Sequence, residues 1–123
     1  MRVILRAVFV STFLFFSSPP VASMTLETLG EYCKGSAPQS ETALDGSSQI
    51  GYCLGLLQGT AYTMHNNCIF GRNAQAIGKI GHMPENATSV SDFLGWVDDN
   101  SELGPMDAPL GLMIGLQAIY PCN

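Results

Sequence analysis

The chain has 123 residues, of which 46% are hydrophobic and 12% charged, with five Lys and Arg against ten Asp and Glu for a net charge of −5. That balance argues against nucleic acid or an anionic lipid surface as partner, because displacing phosphate counterions needs clustered cations. The length fits a single small domain whose core is modest, for which covalent cross-links are a natural supplement.

Arg2 and Arg6 flank the start of an apolar run, Ala7 to Phe16, that is too short to span a bilayer. Ser17, Ser18, Pro19 and Pro20 follow, and Val21 and Ser23 place small residues at the minus-three and minus-one positions of a signal-peptidase site. The pattern predicts an export signal over residues 1–23, cleaved after Ser23, and a periplasmic domain over residues 24–123. An uncleaved membrane anchor is the alternative, and no stop-transfer stretch supports it. Without the leader only Lys34, Arg72 and Lys79 face the ten carboxylates, a net charge near −7. Such a charge suits a basic protein partner, since complementary fields raise association rates. Acidity kept merely for solubility is the plainer explanation.

Apolar residues after the leader recur at helical spacing, and no alternating strand pattern is present. Thr25 is placed to cap a first helix with Leu26, Leu29, Tyr32 and Cys33 along one side. Gly35 to Ser47 reads as a loop. A second helix is expected from Ser48 to about Asn66, with Ile50, Cys53, Leu54, Leu57, Ala61 and Met64 as its apolar stripe. Gly51, Gly55 and Gly59 form another row on it. Each glycine costs a helix about 1 kcal/mol relative to alanine, so a row of three calls for a close approach by another helix.

Ile69 to Met83 reads as a helical turn within a loop. Thr88 or Ser89 is expected to cap a third helix through Val90, Phe93, Leu94 and Val97, ending near Asn100. After a connector at Ser101–Met106, Asp107 is expected to cap a last helix. Its Pro109 is tolerated in the first turn, and Leu110, Met113, Ile114, Gln117 and Ile119 run on until Pro121 stops it. Gly111 and Gly115 repeat the glycine spacing, so these two helices are candidates to pack on each other or on copies of themselves in a homodimer. The expected fold is a small all-α, disulfide-stapled domain of four to five helices.

Cys33, Cys53, Cys68 and Cys122 allow three pairings, which sequence alone does not separate. Helical geometry favours Cys33–Cys53, leaving Cys68–Cys122 to tie the C-terminal segment to the end of the second helix. A zinc site lacks any Cys-x-x-Cys pair, and a cysteine nucleophile beside His65 or His82 lacks a spare thiol. His65 reads as a cation at a helix C-terminus. No nucleophile elbow, phosphate loop or zinc-protease motif occurs, so neither a catalytic residue, a metal nor a cofactor is expected. Asp98, Asp99 and Glu102 lack the ligand order of a calcium loop and do not specify a glycosidase pair. They form either a solvated helix end or a contact patch for a basic partner. Asn86-Ala87-Thr88 matches a glycosylation acceptor by composition alone.

Gly51-Tyr52-Cys53-Leu54-Gly55 opening the second helix, Phe93-Leu94-Gly95-Trp96-Val97 with Asn100-Ser101-Glu102-Leu103 after it, Pro84 to Ser91 before it, and the Leu116 to Tyr120-Pro121-Cys122 ending carry a likeness. Over Thr25 to Cys122 the chain resembles the Rap/Tai-type immunity proteins of type VI secretion. The resemblance implies an exported helical protein with intramolecular disulfides that binds and occludes a peptidoglycan amidase toxin and has no enzymatic activity. Contact residues are expected at the Glu85–Asn86 turn and at Asp98, Asp99, Asn100 and Glu102, where carboxylates can meet a basic rim. The rival expectations are a small helical periplasmic chaperone or stress protein without a dedicated toxin, and a small exported enzyme.

Overall fold

The computed structural model describes residues 24–40, 42–71 and 78–123. The expected export signal lies outside them, as do residues 72–77 of the expected turn between Ile69 and Met83. Four α-helices carry the fold: α1 (Leu26–Lys34), α2 (Gly46–Phe70), α3 (Asn86–Asp99) and α4 (Ala108–Ile119), with a 3₁₀ turn at Ser101–Leu103 between the last two. Every helix touches the other three. Between them Leu26, Leu29, Leu57, Met64, Ile80, Phe93, Leu112 and Leu116 form a buried core.

Helix α1 begins as the sequence indicates, with the Thr25 hydroxyl accepting from the amide of Thr28 at 3.2 Å. It ends at Gly35, whose φ of 69° is a left-handed conformation that glycine adopts without strain. A side chain at Gly35 would also stand 2.8 Å from the carbonyl oxygen of Gly46, so the end of α1 can touch the start of α2. Two disulfides close the fold, Cys33–Cys53 with a Cα separation of 5.0 Å and Cys68–Cys122 with one of 5.8 Å. The first joins α1 to the beginning of α2. The second joins the end of α2 to the segment following α4.

Helix α2 starts earlier and runs further than its sequence suggests. Asp45 is its cap, accepting from the Ser48 amide at 2.8 Å, so Ser48 lies inside the first turn. The helix continues through Ile69 and Phe70, which the sequence reading placed in a loop. His65 therefore sits more than a turn inside the helix, away from the end where the dipole would favour its cation. Gln49, unexpectedly, is buried: its amide oxygen accepts from the Ala37 amide, and its nitrogen donates to the carbonyls of Ala37 and Leu44, all at 3.0 Å. This one side chain satisfies three groups of the loop leading into α2.

The expected cap of the third helix is corrected. Helix α3 begins at Asn86 with Glu85 in the cap position, so neither Thr88 nor Ser89 caps it. Ser89 instead lies buried in the first turn, its hydroxyl donating to the Asn86 carbonyl and accepting from Gln58. Helix α4 presents a different arc from the one its largest residues suggest: Ala108, Gly111, Leu112, Gly115 and Leu116 face inward, and Leu110 is exposed. Here the two glycines set the contact, because a side chain at Gly111 would stand 2.9 Å from Leu26 Cδ1 and one at Gly115 2.7 Å from the Trp96 ring. Missing side chains thus bring α4 close to α1 and α3.

The glycine row of α2 does not pack against that of α4. Among the described residues, a side chain at Gly51, Gly55 or Gly59 would meet no atom within 4 Å. The physical reason is rotational, because each lies about 200° around the helix from the buried arc of Cys53, Leu57, Ala61 and Met64.

Candidate partner-binding surfaces

The acidic residues singled out in the sequence gather at the C-terminal end of α3. Asp98, Asp99 and Glu102 are exposed, and Asn100 is half-buried between them. Asn100 closes the helix: its side-chain nitrogen donates to the Trp96 carbonyl at 2.8 Å, and its own amide reaches the carbonyls of Trp96 and Val97. Its role is to hold the backbone, which leaves the carboxylates as the groups that face solvent. Negative charge in the last turn of a helix opposes the helix dipole. Asp98 is offset by Lys34 at 3.9 Å, with both side chains well exposed, so the pair contributes little. A recess of about 250 Å³ beside this tip is lined by Glu27, Glu31, Lys34, Asp98 and Ser101 among others.

Glu85 and Asn86 do not join this patch. They lie exposed at the opposite end of the 14-residue α3, about 20 Å away at 1.5 Å per residue. A partner touching both would have to follow the whole helix.

A feature not foreseen lies between those ends. Ser91, Asp92, Gly95 and Asp99 on one side of α3, with Trp96, Tyr120 and His82, line a recess of about 540 Å³. The Tyr120 hydroxyl donates to Asp92 Oδ2 at 2.6 Å, and the His82 ring meets the Tyr120 ring edge-on with centroids 4.9 Å apart. Burial first, and then the Asp92 carboxylate, raise the Tyr120 phenol above its ordinary range. These groups come from three separate elements, and no spacing in the sequence announces them.

Helix α2 offers a surface of another kind. Its 25 residues contain no Asp, Glu, Lys or Arg. Its outer side exposes Tyr52, Tyr62, Ile69 and Phe70, the last to 80%. Beside the open glycines runs a groove of about 380 Å³, lined by Gly55, Gly59, Thr63, Met64, Asn67 and Met113 among others, and almost wholly apolar.

No family model, no curated protein and no solved structure matches this chain. Among the described residues no three His, Cys, Asp or Glu side chains gather closely enough to hold a metal ion. All four cysteines are cross-linked. No described helix is long and apolar enough to cross a membrane.

Proposed function

We propose that this chain is an exported immunity protein that binds a peptidoglycan amidase toxin delivered by type VI secretion and occludes its cleft. The observation that carries this reading is the acidic tip of α3, where Asp98, Asp99 and Glu102 stand exposed beside a backbone closed by Asn100. Placing carboxylates at a helix C-terminus costs stability, and recognition of a basic rim accounts for keeping them there. Support comes also from the two disulfides, which suit an oxidising compartment, and from the leader-like residues 1–23. A cross-linked body loses less conformational entropy on binding than a mobile one.

Protection is the direct test. Cells expressing the chain with its leader should survive a periplasmic amidase encoded beside it, and cells expressing residues 24–123 in the cytoplasm should not. Replacing Asp99 and Glu102 by Lys should abolish protection and co-elution with the amidase without lowering the thermal midpoint, since cations at a helix C-terminus are favourable. Absence of protection against every neighbouring amidase would overturn the reading. The exposed apolar side of α2 favours a second reading, a small helical chaperone or stress protein. That reading requires suppression of client aggregation at stoichiometric amounts without a single tight partner.

A further inference from the structure

We infer that the recess between α3 and the residues following α4 receives the side chain of an arginine presented by a partner protein. Two carboxylates on a helix would by themselves be an ordinary solvated face. Here Asp92 and Asp99 line a recess of about 540 Å³ together with the rings of Trp96, Tyr120 and His82. Among the described residues, no Lys or Arg lines it. The rings are fixed before any ligand arrives. Trp96 stacks on Phe93 with centroids 6.5 Å apart and lies over Gly115, where a Cβ would stand 2.7 Å from the indole. Tyr120 is buried and held by its hydrogen bond to Asp92, and the His82 ring meets it edge-on. A carboxylate offers about four lone-pair sites, so Asp92 can accept from Tyr120 and still take a second donor. Gly95 lies on the same side of α3, and a side chain there would meet no described atom within 4 Å, so the space beside Trp96 is open.

Chemistry selects the occupant. Aromatic rings attract cations over their faces, indole most strongly. A guanidinium is planar and weakly hydrated, so it can stack on a ring while its N–H fork reaches a carboxylate; an ammonium is a strongly hydrated point charge. Asp92 and Asp99 are seven residues apart, about 10 Å along the helix, too far for one guanidinium to pair with both. Trp96 lies between them in the sequence of α3, so a cation against its ring has one carboxylate to each side. Sites for small molecules bury most of their ligand. This recess is open, with His82, Gly95 and Asp99 exposed, and suits a side chain reaching in from another surface. The net charge near −7 of residues 24–123 draws a basic partner towards it. The inference holds for any partner bearing such an arginine and does not depend on the amidase reading.

Trp96 is the only tryptophan of the chain, so its fluorescence reports on this recess alone. Titrating the oxidised protein at low ionic strength with the capped tripeptide acetyl-Gly-Arg-Gly-amide should change that emission saturably, with dissociation in roughly the millimolar range. The lysine analogue should bind at least about threefold more weakly. Asp99→Asn should weaken the arginine peptide about threefold, whereas Glu31→Gln, the same change of charge on α1 outside the recess, should leave it unchanged. Gly95→Leu fills the open space and should abolish binding without lowering the melting midpoint; should that variant melt lower, Asp99→Asn against Glu31→Gln decides. An absent response, equal binding of the lysine peptide, or equal weakening by Asp99→Asn and Glu31→Gln overturns the inference. Free L-arginine binding more tightly than the capped peptide also overturns it, by assigning the recess to a small molecule.

Discussion

The phenol of Tyr120 donates to Oδ2 of Asp92 at 2.6 Å, linking the residue that follows α4 to the middle of α3. Burial and the neighbouring carboxylate both oppose loss of the phenol proton in the folded state, so the folded pKa lies above the unfolded value of about 10. The stabilisation is therefore complete below pH 10 and is lost as pH rises beyond it. Tyr120→Phe should lower stability at pH 7 by about 1.5 kcal/mol, as for a hydrogen bond to a charged group. The gap between wild type and variant should narrow as pH rises above 10. Thermal melts at neutral and alkaline pH check both the offset and its closing.

Glycine-to-alanine substitutions should have opposite signs on the two glycine rows. At Gly51 the added methyl meets open space, so Gly51→Ala should stabilise the helix by up to about 1 kcal/mol. At Gly115 it would stand 2.7 Å from the Trp96 ring, and the resulting overpacking should cost about 1–3 kcal/mol despite the better helix propensity. Urea unfolding of both variants at low protein concentration makes the comparison, and Trp96 fluorescence should change only in the second.

The two disulfides should differ in how they yield to reductant. Cys33 and Cys53 are buried, with 4% and 0% of their surface accessible, whereas Cys68 and Cys122 are half-buried. A dithiol acting on native protein should open Cys68–Cys122 first and reach Cys33–Cys53 only on unfolding, because exchange requires access to sulfur. Loop-closure entropy assigns the bonds about 4 and about 3 kcal/mol respectively. Pulsed alkylation and peptide mass spectrometry should therefore find Cys68 and Cys122 labelled well before the other pair.

Gln49→Ala should be among the most damaging single polar substitutions. It removes three hydrogen bonds and leaves two buried groups of Ala37 without partners, at a cost of about 2–4 kcal/mol. Because the lost contacts hold the loop before α2, limited proteolysis should show new cleavage between Gly35 and Asp45.

Acidification gives a smaller, separate effect. The Ser48 amide and hydroxyl hold the Asp45 carboxyl below its ordinary value. Its contribution is present above the unfolded pKa near 4 and disappears as pH falls through the lower folded value. Asp45→Asn should therefore differ from wild type at pH 7 and converge with it in strong acid, as followed by circular dichroism.

Where neighbouring residues decided the outcome, the sequence was readable. Thr25 caps α1 through Thr28, and Cys53, Leu57, Ala61 and Met64 of the expected stripe face the core, whereas Leu54 is half-buried and Ile50 is exposed at the margin of that arc. The start of α2 lies two residues before the expected Ser48 because Asp45, a strong cap, precedes two serines that could cap equally well. In α4 side-chain size pointed to Leu110, Met113 and Ile114, whereas the closeness of Leu26 and Trp96 turned the glycines inward instead. The four-residue spacing of Gly111 and Gly115 marked a close approach, but their partners, Leu26 and Trp96 in place of the glycine row of α2, belong to tertiary packing. The acidic tip was legible from Asp98, Asp99 and Glu102 as a cluster, but its separation from Glu85 and Asn86 required knowing that α3 runs unbroken between them. The recess at Asp92, His82 and Tyr120 could not be read, since its walls come from distant parts of the chain.

The short pairing of Thr25 with Asp107 has a consequence for timing. The Leu26 amide bonds to the Met106 carbonyl at 2.8 Å and the Ala108 amide to that of Met24 at 2.9 Å, so the earliest helix is seated by residues from the last quarter of the chain. During synthesis α1 can dock on α2, but its N-terminal end cannot be seated until α4 has emerged, and long-range closure of this kind is slow relative to helix formation. The junction between the two ends of the described domain is thus the last part of the fold that can close.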